Sequence, residues 1–399
     1  MLKGKNVILG VTGSIAAYKI AGLASMLKKL NCNVDVIMTK NAQNFINPIT
    51  FETLTSNKCL IDTFDRNFQY NVEHVSLAKK ADVFLVAPAS ANFIGKMASG
   101  IADDMLTTTF LACKCKKIVA PAMNTNMYLN PIVQDNIKKL QNYGIEVITP
   151  DSGHLACGDE GVGKMPSEEV LLSYIMKEIA CEKDMKGLKV CVTAGPTREA
   201  IDPVRYISNN STGKMGYALA ENAMLRGADV TLISGIVNIK PVPFVKMVNV
   251  VSAKDMYEAV MENAHDSDII VKAAAVADYR PEVVSDNKIK KSNGFTEIKL
   301  ENTDDILASL GKYKADKNNK LFLCGFSMET QNVLENSKAK LEKKNLDMIV
   351  ANNLKTDGAG FGTDTNVVTI ITKDNCVELE KMSKFDVAQN IFNCILKRM

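Results

Sequence analysis

The stretch NVILGVTGSIAAYK, Asn6 to Lys19, decides the architecture of the first half of the chain. Its apolar run from Asn6 to Val11 is typical of a buried strand, and apolar residues from Ile15 to Leu30 then recur at helical spacing. NVDVIMT, Asn33 to Thr39, supplies a second strand, so these segments predict a β-α-β unit. Later strand-then-loop segments such as ADVFLVAPAS, Ala81 to Ser90, continue the alternation. This pattern is typical of a parallel sheet covered by helices on both faces.

A second unit of the same kind begins after the polar segment CEKDMKG, Cys181 to Gly187. LKVCVTAGPT then restarts with a strand and a turn, as the beginning of the chain does, and strand-loop segments recur from Ala228 to Gly235 and from Asp268 to Arg280. We therefore predict an α/β protein of two doubly wound Rossmann-like domains, at residues 1–181 and 188–399, joined by a linker at 182–187. Ligands are expected at the carboxyl ends of the strands.

The composition narrows the functional classes. The chain has 399 residues, 46% of them hydrophobic and 23% charged, with a formal net charge of only +3. No broad basic field indicates a nucleic acid or a membrane surface as partner. No run approaches the roughly 18 apolar residues of a spanning helix, so we expect a cytoplasmic protein. The scattered cysteines favour reduced thiols over a disulfide framework, and the Cys113–Cys115 pair alone gives little support for zinc.

Polar loops follow three strands of the first half. In GVTGSIAAYK, Gly10 to Lys19, the backbone N–H groups, the amino end of the helix and the Ser14 hydroxyl suit a phosphate. Thr39 and Ser90 end two other strands at the same expected edge. The glycine motif by itself is equally compatible with a tight turn without ligand. G-x-G-x-x-G is absent and no acidic residue ends the second strand, so a mononucleotide is favoured over a dinucleotide.

Two further segments suit chemistry on a carboxylate. PAMNTNMY, Pro121 to Tyr128, places the amide of Asn124 where it can donate to a carboxylate without adding charge. SGHLACGDEGVGKM, Ser152 to Met165, is rich in glycine around Cys157, which is the composition of a mobile flap. An accessible thiol there can deliver a proton to a carbanion-like centre. An asparagine that satisfies a turn and a cysteine buried as a small apolar residue are the alternatives.

Taken together, these segments resemble the flavoprotein cysteine decarboxylases, and specifically the first half of the bifunctional phosphopantothenoylcysteine decarboxylase/phosphopantothenate–cysteine ligases. The matching motifs are GSIAAYK, NVEHVSL, APASAN, GIADDML, PAMNTNMY and LACGDEGVGKM. The resemblance implies a flavodoxin-like domain that binds FMN, in which His74 assists oxidation of the substrate thiol, Asn124 holds the carboxylate and Cys157 protonates the product. Tyr128 stands where the family usually has tryptophan. The implied FMN contacts are Gly13, Ser14, Ile15, Thr39 and Ser90.

In the second half, a long loop feeds a helix whose first turn is STGK. The loop, TAGPTREAIDPVRYISNNSTGKMG from Thr193 to Gly216, suits a phosphate or a negatively charged acyl intermediate. It is not a P-loop, and a structured loop without ligand is the alternative. Lysines cluster from Asn287 to Lys291 and again from Lys338 to Lys344. Such clusters form either a solvated face or a site that neutralises a triphosphate.

The same segments resemble the ligase half of that bifunctional family. The resemblance implies that CTP with Mg²⁺ converts the carboxylate of 4′-phosphopantothenate to an acyl-cytidylate, which the amine of cysteine then attacks. It assigns the acyl-cytidylate to Asn209, and the triphosphate and acyl transfer to Lys288. It assigns the Mg²⁺ to no particular residues, and it implies a homo-oligomer built from decarboxylase trimers and ligase dimers. The implied nucleotide contacts are Ala274, Asp278, Lys288, Asp305, Ile306, Phe326, Lys340 and Lys344.

Three other functions compete with two consecutive enzymes in one chain. A decarboxylase with a purely structural second half is disfavoured because Asn209, Asp278 and Lys288 are all present. A non-catalytic protein on a flavoprotein scaffold would fit better if His74 or Cys157 were missing. An NAD(P)-dependent oxidoreductase is disfavoured by the missing dinucleotide motif. We therefore expect a bifunctional enzyme of coenzyme A biosynthesis.

Overall fold

The computed structural model describes residues 1–64, 72–154, 158–290, 297–316, 320–329, 333–353 and 362–399. Contacts between Cα atoms divide the chain into two compact units, Met1–Cys181 and Glu182–Met399. Within the described ranges, no helix combines the length and the apolar character needed to cross a membrane.

The first unit has a five-stranded sheet, a two-stranded hairpin and eight α-helices among its described residues. Its strands are β1 (Asn6–Val11), β2 (Asn33–Met38), β3 (Val83–Ala89), β4 (Lys116–Pro121), β5 (Glu146–Val147), β6 (Asp151–His154) and β7 (Glu160–Lys164). Its helices are α1 (Lys19–Lys29), α2 (Pro48–Thr55), α3 (Glu73–Lys80), α4 (Ala91–Ser99), α5 (Met105–Ala112), α6 (Thr125–Leu129), α7 (Pro131–Asn142) and α8 (Glu168–Ile179). Short 3-10 turns at Ile15–Tyr18 and Lys40–Asn44 follow β1 and β2.

The main sheet of this unit is parallel, with strand order β2-β1-β3-β4-β5. Successive side chains of a strand point to opposite faces, and β1 is apolar on both. Val7 and Leu9 join one buried core, and Ile8 joins the other. The chain leaves β1 on one side for β2 and returns on the other for β3, so the strand order reverses between β1 and β3. In this flavodoxin-like order, ligands bind at that reversal.

The second unit has a larger, mixed sheet and five α-helices among its described residues. Its strands are β8 (Lys189–Ala194), β9 (Arg198–Ala200), β10 (Tyr206–Ser208), β11 (Asp229–Ser234), β12 (Lys246–Asn249), β13 (Ile269–Lys272), β14 (Tyr279–Pro281), β15 (Leu300–Asn302), β16 (Phe322–Glu329), β17 (Met348–Asn353), β18 (Thr365–Asn366), β19 (Val368–Thr372), β20 (Cys376–Glu378) and β21 (Met382–Ser383). Its helices are α9 (Lys214–Leu225), α10 (Ala253–Ala264), α11 (Ile306–Asp316), α12 (Val333–Lys343) and α13 (Lys384–Leu396).

The order of the large sheet is β12-β11-β8-β13-β16-β17-β19-β20. The strands from β12 to β17 run parallel, and β19 and β20 add an antiparallel edge. Here the strand order reverses between β8 and β13. Both units thus confirm the prediction of doubly wound α/β architecture.

Hydrogen bonds join the loops that leave β8 and β13. Thr193 Oγ1 accepts from the N–H of Ala274 at 3.1 Å, and Thr197 Oγ1 accepts from the N–H of Ala277 at 3.0 Å. Helix α9 packs tightly behind these loops, since a Cβ added at Gly216 would lie 2.5 Å from the Cβ of Ala194. The amino end of α9 is thereby held against the carboxyl ends of the strands.

Residues 182–187 pack on the second unit. The guanidinium of Arg226, whose side chain is only 3% exposed, donates to both carboxylate oxygens of Asp184, at 2.8 and 2.5 Å. The N–H of Met185 donates to the carbonyl of Arg226 at 3.1 Å, and the ammonium of Lys183 donates to the carbonyl of Leu225. This segment is therefore held by side-chain and backbone contacts.

Candidate active sites

A cavity of about 620 Å³ lies in the first unit where β1, β2 and β3 end. Its lining includes Gly13, Thr39 and Ser90, which are three of the residues predicted to contact FMN. They converge because the carboxyl ends of parallel strands lie at one edge of the sheet. The cavity thus occupies the point at which the strand order reverses.

Thr12 joins the ends of β1 and β3 beneath this cavity. Its buried hydroxyl donates to the carbonyl of Pro88 at 2.7 Å and accepts from the N–H of Ser90 at 2.9 Å. The Ala87–Pro88 peptide bond, which ends two residues before Ser90, is cis. The hydroxyl of Thr12 therefore fixes the position of Ser90 relative to the Gly13 loop.

The cavity suits a phosphorylated mononucleotide. The hydroxyls of Thr39 and Ser90 each accept from the backbone of the helical turn that follows, at 3.3 and 3.4 Å, and each keeps its own proton to donate. A Cβ added at Gly13 would lie 2.9 Å from the Cβ of Asn41, so only glycine permits this close approach. Ser14 and Ile15 lie just outside the lining, where Ser14 caps the 3-10 turn and Ile15 is 57% exposed.

Asn124 lies at the start of α6, directly after β4 and its loop. Its Oδ1 accepts from the N–H of Asn126 at 2.8 Å, and its Nδ2 donates to Oδ2 of Asp159 at 3.1 Å. Asp159 immediately precedes β7, so the β6–β7 hairpin contacts this asparagine. Asn124 is therefore positioned both by its own helix and by the glycine-rich segment predicted to be a flap.

Close backbone packing fixes the same hairpin. The N–H of Met123 donates to the carbonyl of Gly163 at 3.1 Å. Gly163 has a φ of +138°, and a Cβ added there would lie 2.2 Å from the carbonyl oxygen of Met123. Cys157, the predicted proton donor between β6 and β7 in the sequence, lies outside the described residues.

His74 lies in the first turn of α3 and is half-buried. Of the described residues, those lining the first cavity include neither His74 nor Asn124, although Met127 of α6 reaches it. Val72 and Val75, on either side of His74, are 59% and 37% exposed. The roles assigned to His74 and Asn124 therefore stay predictions.

A second cavity, of about 490 Å³, lies in the second unit at the carboxyl ends of β13, β16 and β17 and at the amino end of α9. Helix α9 begins after Gly213, which has a φ of +79° and offers no capping side chain. The first N–H groups of the helix and its dipole favour an anion at this end. The predicted site residues that line the cavity are Asn209, Ala274, Asp278, Phe326, Lys340 and Lys344.

Three other predicted ligase residues lie outside this lining. Asp305 pairs with Lys344, with 2.7 Å between Oδ2 and Nζ, and its Oδ1 accepts from the N–H of Ala308 at the start of α11. Ile306 is buried in the core, and Lys288 is exposed. Asp305 therefore contacts the cavity indirectly, by pairing with Lys344, which lines it.

Asn209 is held by the loop that follows β13. Its Nδ2 donates to the carbonyls of Ala275 and Val276, each at 3.1 Å. Both of its amide protons therefore have acceptors, which fixes the side chain at the wall of the cavity. An aspartate at this position would place a carboxylate against those two carbonyls.

The segment that carries Lys288 is anchored at one end. The N–H of Ile289 donates to Oδ2 of Asp202 at 3.1 Å, and Nη2 of Arg205 donates to Asp202 and to the carbonyl of Ile289, at 2.5 and 2.9 Å. The Arg205 hydrogen bond holds the pKa of the Asp202 carboxyl well below its usual range. Lys288 is thereby tied to the loop that leads to Asn209.

The cavity also contains polar residues that the sequence analysis missed. Lys272 ends β13 and lines the cavity, and burial lowers its pKa to about 8. Asn352 lines it too, and although it is only 7% exposed, its Oδ1 has no hydrogen-bond partner in the described structure. A lysine directly after the apolar run IIV was visible in the sequence, and a lysine at the end of a buried strand signals such a site. A buried acceptor without a partner suits a cavity that receives a ligand.

No group of three or more histidine, cysteine, aspartate or glutamate side chains is placed to hold a metal ion within the described ranges.

Comparison with known proteins covers both units. Residues 185–399 match the family described as the DNA/pantothenate metabolism flavoprotein C-terminal domain, and residues 1–180 match the Flavoprotein family. The chain is 48% identical over 395 residues to the coenzyme A biosynthesis bifunctional protein CoaBC of Bacillus subtilis, covering 98% of this chain and 96% of that protein. It is 43% identical over 397 residues to the corresponding protein of Haemophilus influenzae, covering 100% and 98%. A crystal structure of the C-terminal domain of such a protein is 43% identical, with a TM-score of 0.45, and covers 53% of this chain and 95% of that one.

Proposed function

This chain belongs to the family of coenzyme A biosynthesis bifunctional proteins, and from that premise we propose how its two units act in turn. The second unit uses CTP to couple 4′-phosphopantothenate to cysteine. The first unit then decarboxylates the product, 4′-phosphopantothenoylcysteine, to 4′-phosphopantetheine. The observation that carries this proposal is that each unit has a cavity at the carboxyl ends of the parallel strands of its own sheet, lined by residues of the matching motifs.

In the decarboxylase unit, the hydroxyls of Thr39 and Ser90 and the backbone at Gly13 hold the phosphate of FMN. FMN, when bound, supplies the two-electron oxidation of the thiol-bearing carbon that lets a carboxylate leave as carbon dioxide, and it returns those electrons afterwards. Asn124 binds the substrate carboxylate, which replaces Asp159 as acceptor of its Nδ2 protons. An amide suits this task because it holds the carboxylate without a positive charge that would oppose its departure.

Two further residues handle protons in this unit. His74 assists the oxidation of the substrate thiol by accepting its proton. Cys157 returns a proton to the product after carbon dioxide has left. The β6–β7 hairpin contacts Met123 and Asn124, and Cys157 lies between its two strands in the sequence.

In the ligase unit, the amino end of α9 and the lysines of the cavity bind the triphosphate of CTP, which enters with Mg²⁺. A carboxylate oxygen of 4′-phosphopantothenate attacks the α-phosphorus and pyrophosphate leaves. The amine of cysteine then attacks the acyl carbon, and CMP leaves. Asn209 holds the acyl-cytidylate between these steps, while Lys288 neutralises the charge of the leaving phosphates.

We further propose a cytoplasmic homo-oligomer with trimeric decarboxylase units and dimeric ligase units. Exposed apolar side chains near His74 and on α6 and α7 support contacts between copies of the first unit. Others on β10, β14 and the following segment support contacts in the second. None of the described cysteines forms a disulfide bond, which suits a reducing compartment. The exposed apolar residues are Val72, Met127, Leu129 and Ile132 in the first unit and Val204, Tyr206, Tyr279 and Val283 in the second.

Incubation with 4′-phosphopantothenate, cysteine, CTP and Mg²⁺, followed by mass analysis, tests both activities. We expect 4′-phosphopantetheine, carbon dioxide, CMP and pyrophosphate, and omission of CTP should abolish the coupled product. The purified chain should bind FMN without a covalent bond and be yellow. Failure to reconstitute with FMN would refute the decarboxylase assignment, and coupling without CTP would refute the ligase assignment.

The role of Cys157 has a separate test. The Cys157→Ser variant should release carbon dioxide yet fail to complete the reduced product. Normal formation of 4′-phosphopantetheine by this variant would remove Cys157 as the proton donor.

A further inference from the structure

Lys272 occupies the floor of the ligase cavity. It is the last residue of β13, where its strand neighbours are Thr193 of β8 and Gly325 of β16, both uncharged. It is half-buried, and in the described structure no hydrogen bond or ion pair joins its ammonium to another residue. A charged group in this setting lacks the partner that buried charges normally have.

The charged residues facing Lys272 come from the segments around the cavity. Lys340 and Lys344 approach from α12 and the residue after it, Asp278 from the loop after β13, and Asp305 from the start of α11. The carboxylate of Asp305 is already bound to Lys344 at 2.7 Å. Asp305 is thus already engaged by Lys344, and the ammonium of Lys272 forms no ion pair with either carboxylate in the described structure.

Burial and the charge of Lys344 together lower the pKa of Lys272 to about 8. An oxyanion entering the cavity would pair with the Lys272 ammonium and favour its charged form. Lysine suits this task because its ammonium is a compact charge with three donors.

We propose that Lys272 binds an oxyanion of the ligase ligands and is a further binding residue of this site. The inference rests on the proposed ligase function, because the oxyanion belongs either to the phosphates of CTP or to 4′-phosphopantothenate. Each of these ligands presents anionic oxygens that an ammonium group can bind. Titration with each ligand alone shows which of them Lys272 binds.

Proton uptake gives a readout that a purely structural lysine would not affect. Near pH 8 the free cavity holds Lys272 about half protonated, and a bound oxyanion raises its pKa, so the protein takes up a fraction of a proton on binding. Below about pH 7 the lysine is already charged and the uptake should vanish. As pH rises above 8, binding itself should weaken.

The experiment is calorimetric titration of the full-length protein with CTP–Mg²⁺ or with 4′-phosphopantothenate at pH 8, in two buffers of different ionisation enthalpy. Lys272→Met should abolish the Lys272-dependent uptake for one ligand and weaken its binding by about 10-fold or more. Lys272→Arg should keep most of the affinity but show no such uptake, since arginine does not titrate. The ligand that shows the difference identifies the source of the oxyanion.

Unchanged affinity and unchanged proton uptake in both variants would overturn the inference while leaving the proposed function standing. If the wild-type chain bound neither ligand, the proposed function would fall and the inference with it. Removal of this half-buried charge, which has no partner in the described structure, should not lower the melting temperature of the free protein. Should Lys272→Met nevertheless misfold, the proton count of Lys272→Arg decides alone.

Discussion

Replacement of Gly163 by alanine tests whether docking of the β6–β7 hairpin is required for decarboxylation. The new Cβ would lie 2.2 Å from the carbonyl oxygen of Met123, whereas non-bonded heavy atoms pack at about 3.5 Å. Even partial relief requires β7 to withdraw by about 1 Å. The hydrogen bond from Met123 to Gly163 would then lengthen from 3.1 Å beyond hydrogen-bonding range.

Gly153 of β6 supplies a matched control. It has a similar φ of +146°, but a Cβ added there meets nothing within 4 Å. Both alanine variants carry the backbone strain of a positive φ, about 1–3 kcal/mol. Only Gly163→Ala also loses the hydrogen bond between Met123 and Gly163, which contributes about 1.5 kcal/mol. That loss shifts the equilibrium of the hairpin roughly tenfold toward the undocked state, relative to Gly153→Ala.

The assay is steady-state decarboxylation of 4′-phosphopantothenoylcysteine by both variants, with CTP-dependent coupling by the same preparations as internal control. We expect kcat for decarboxylation to fall about tenfold more in Gly163→Ala than in Gly153→Ala, because the docked hairpin is about tenfold less populated in Gly163→Ala. Coupling should be unchanged, because both glycines belong to the first unit. Retained flavin absorbance would show that the unit still folds. Equal decarboxylation rates in the two variants would refute the link between hairpin docking and catalysis.

Three further predictions concern the two cavities. Thr12→Val should destabilise the first unit by about 1–3 kcal/mol and weaken FMN binding, because the carbonyl of Pro88 and the N–H of Ser90 lose a buried partner. Urea unfolding and flavin titration measure the two effects. Thr12→Ser, which keeps the hydroxyl, should behave as wild type. Asn209→Asp should abolish CTP-dependent coupling but keep decarboxylation, and full coupling would remove Asn209 from the site. Since the folded-state pKa of Asp202 is lowered, the contribution of its carboxylate to stability is present above about pH 4 and should be lost as pH falls further. In Asp202→Asn, the free energy of unfolding should therefore fall less steeply with decreasing pH in the acid range. An unaltered acid dependence of that free energy contradicts this.

The sequence predicted those features that depend on neighbouring residues. Alternating strand and helix patterns gave the doubly wound class. Because parallel strands end at one edge, it was also predictable that Gly13, Thr39 and Ser90 would meet there. The antiparallel edge formed by β19 and β20 was not predicted, since short strands carry little periodic signal.

Long-range packing explains most of what sequence reasoning did not reach. The lowered pKa of Lys272 depends on charges at Asp278, Asp305 and Lys344, which only the folded sheet brings together. The contact between Gly163 and Met123 joins two backbone segments, and no pattern of side chains in the sequence predicts such a contact. The resemblance named Asn209, but the two carbonyls that orient it became visible only in the fold.

The pairing of Asp184 with Arg226 determines where the chain can be divided for separate expression of its halves. A ligase fragment beginning at residue 188 would retain the nearly inaccessible guanidinium but lose its carboxylate, and so would carry an uncompensated interior cation. A fragment beginning at Glu182 keeps the pair. A boundary for separate expression therefore lies best between Cys181 and Asp184, since a second unit that begins there keeps the carboxylate partner of Arg226.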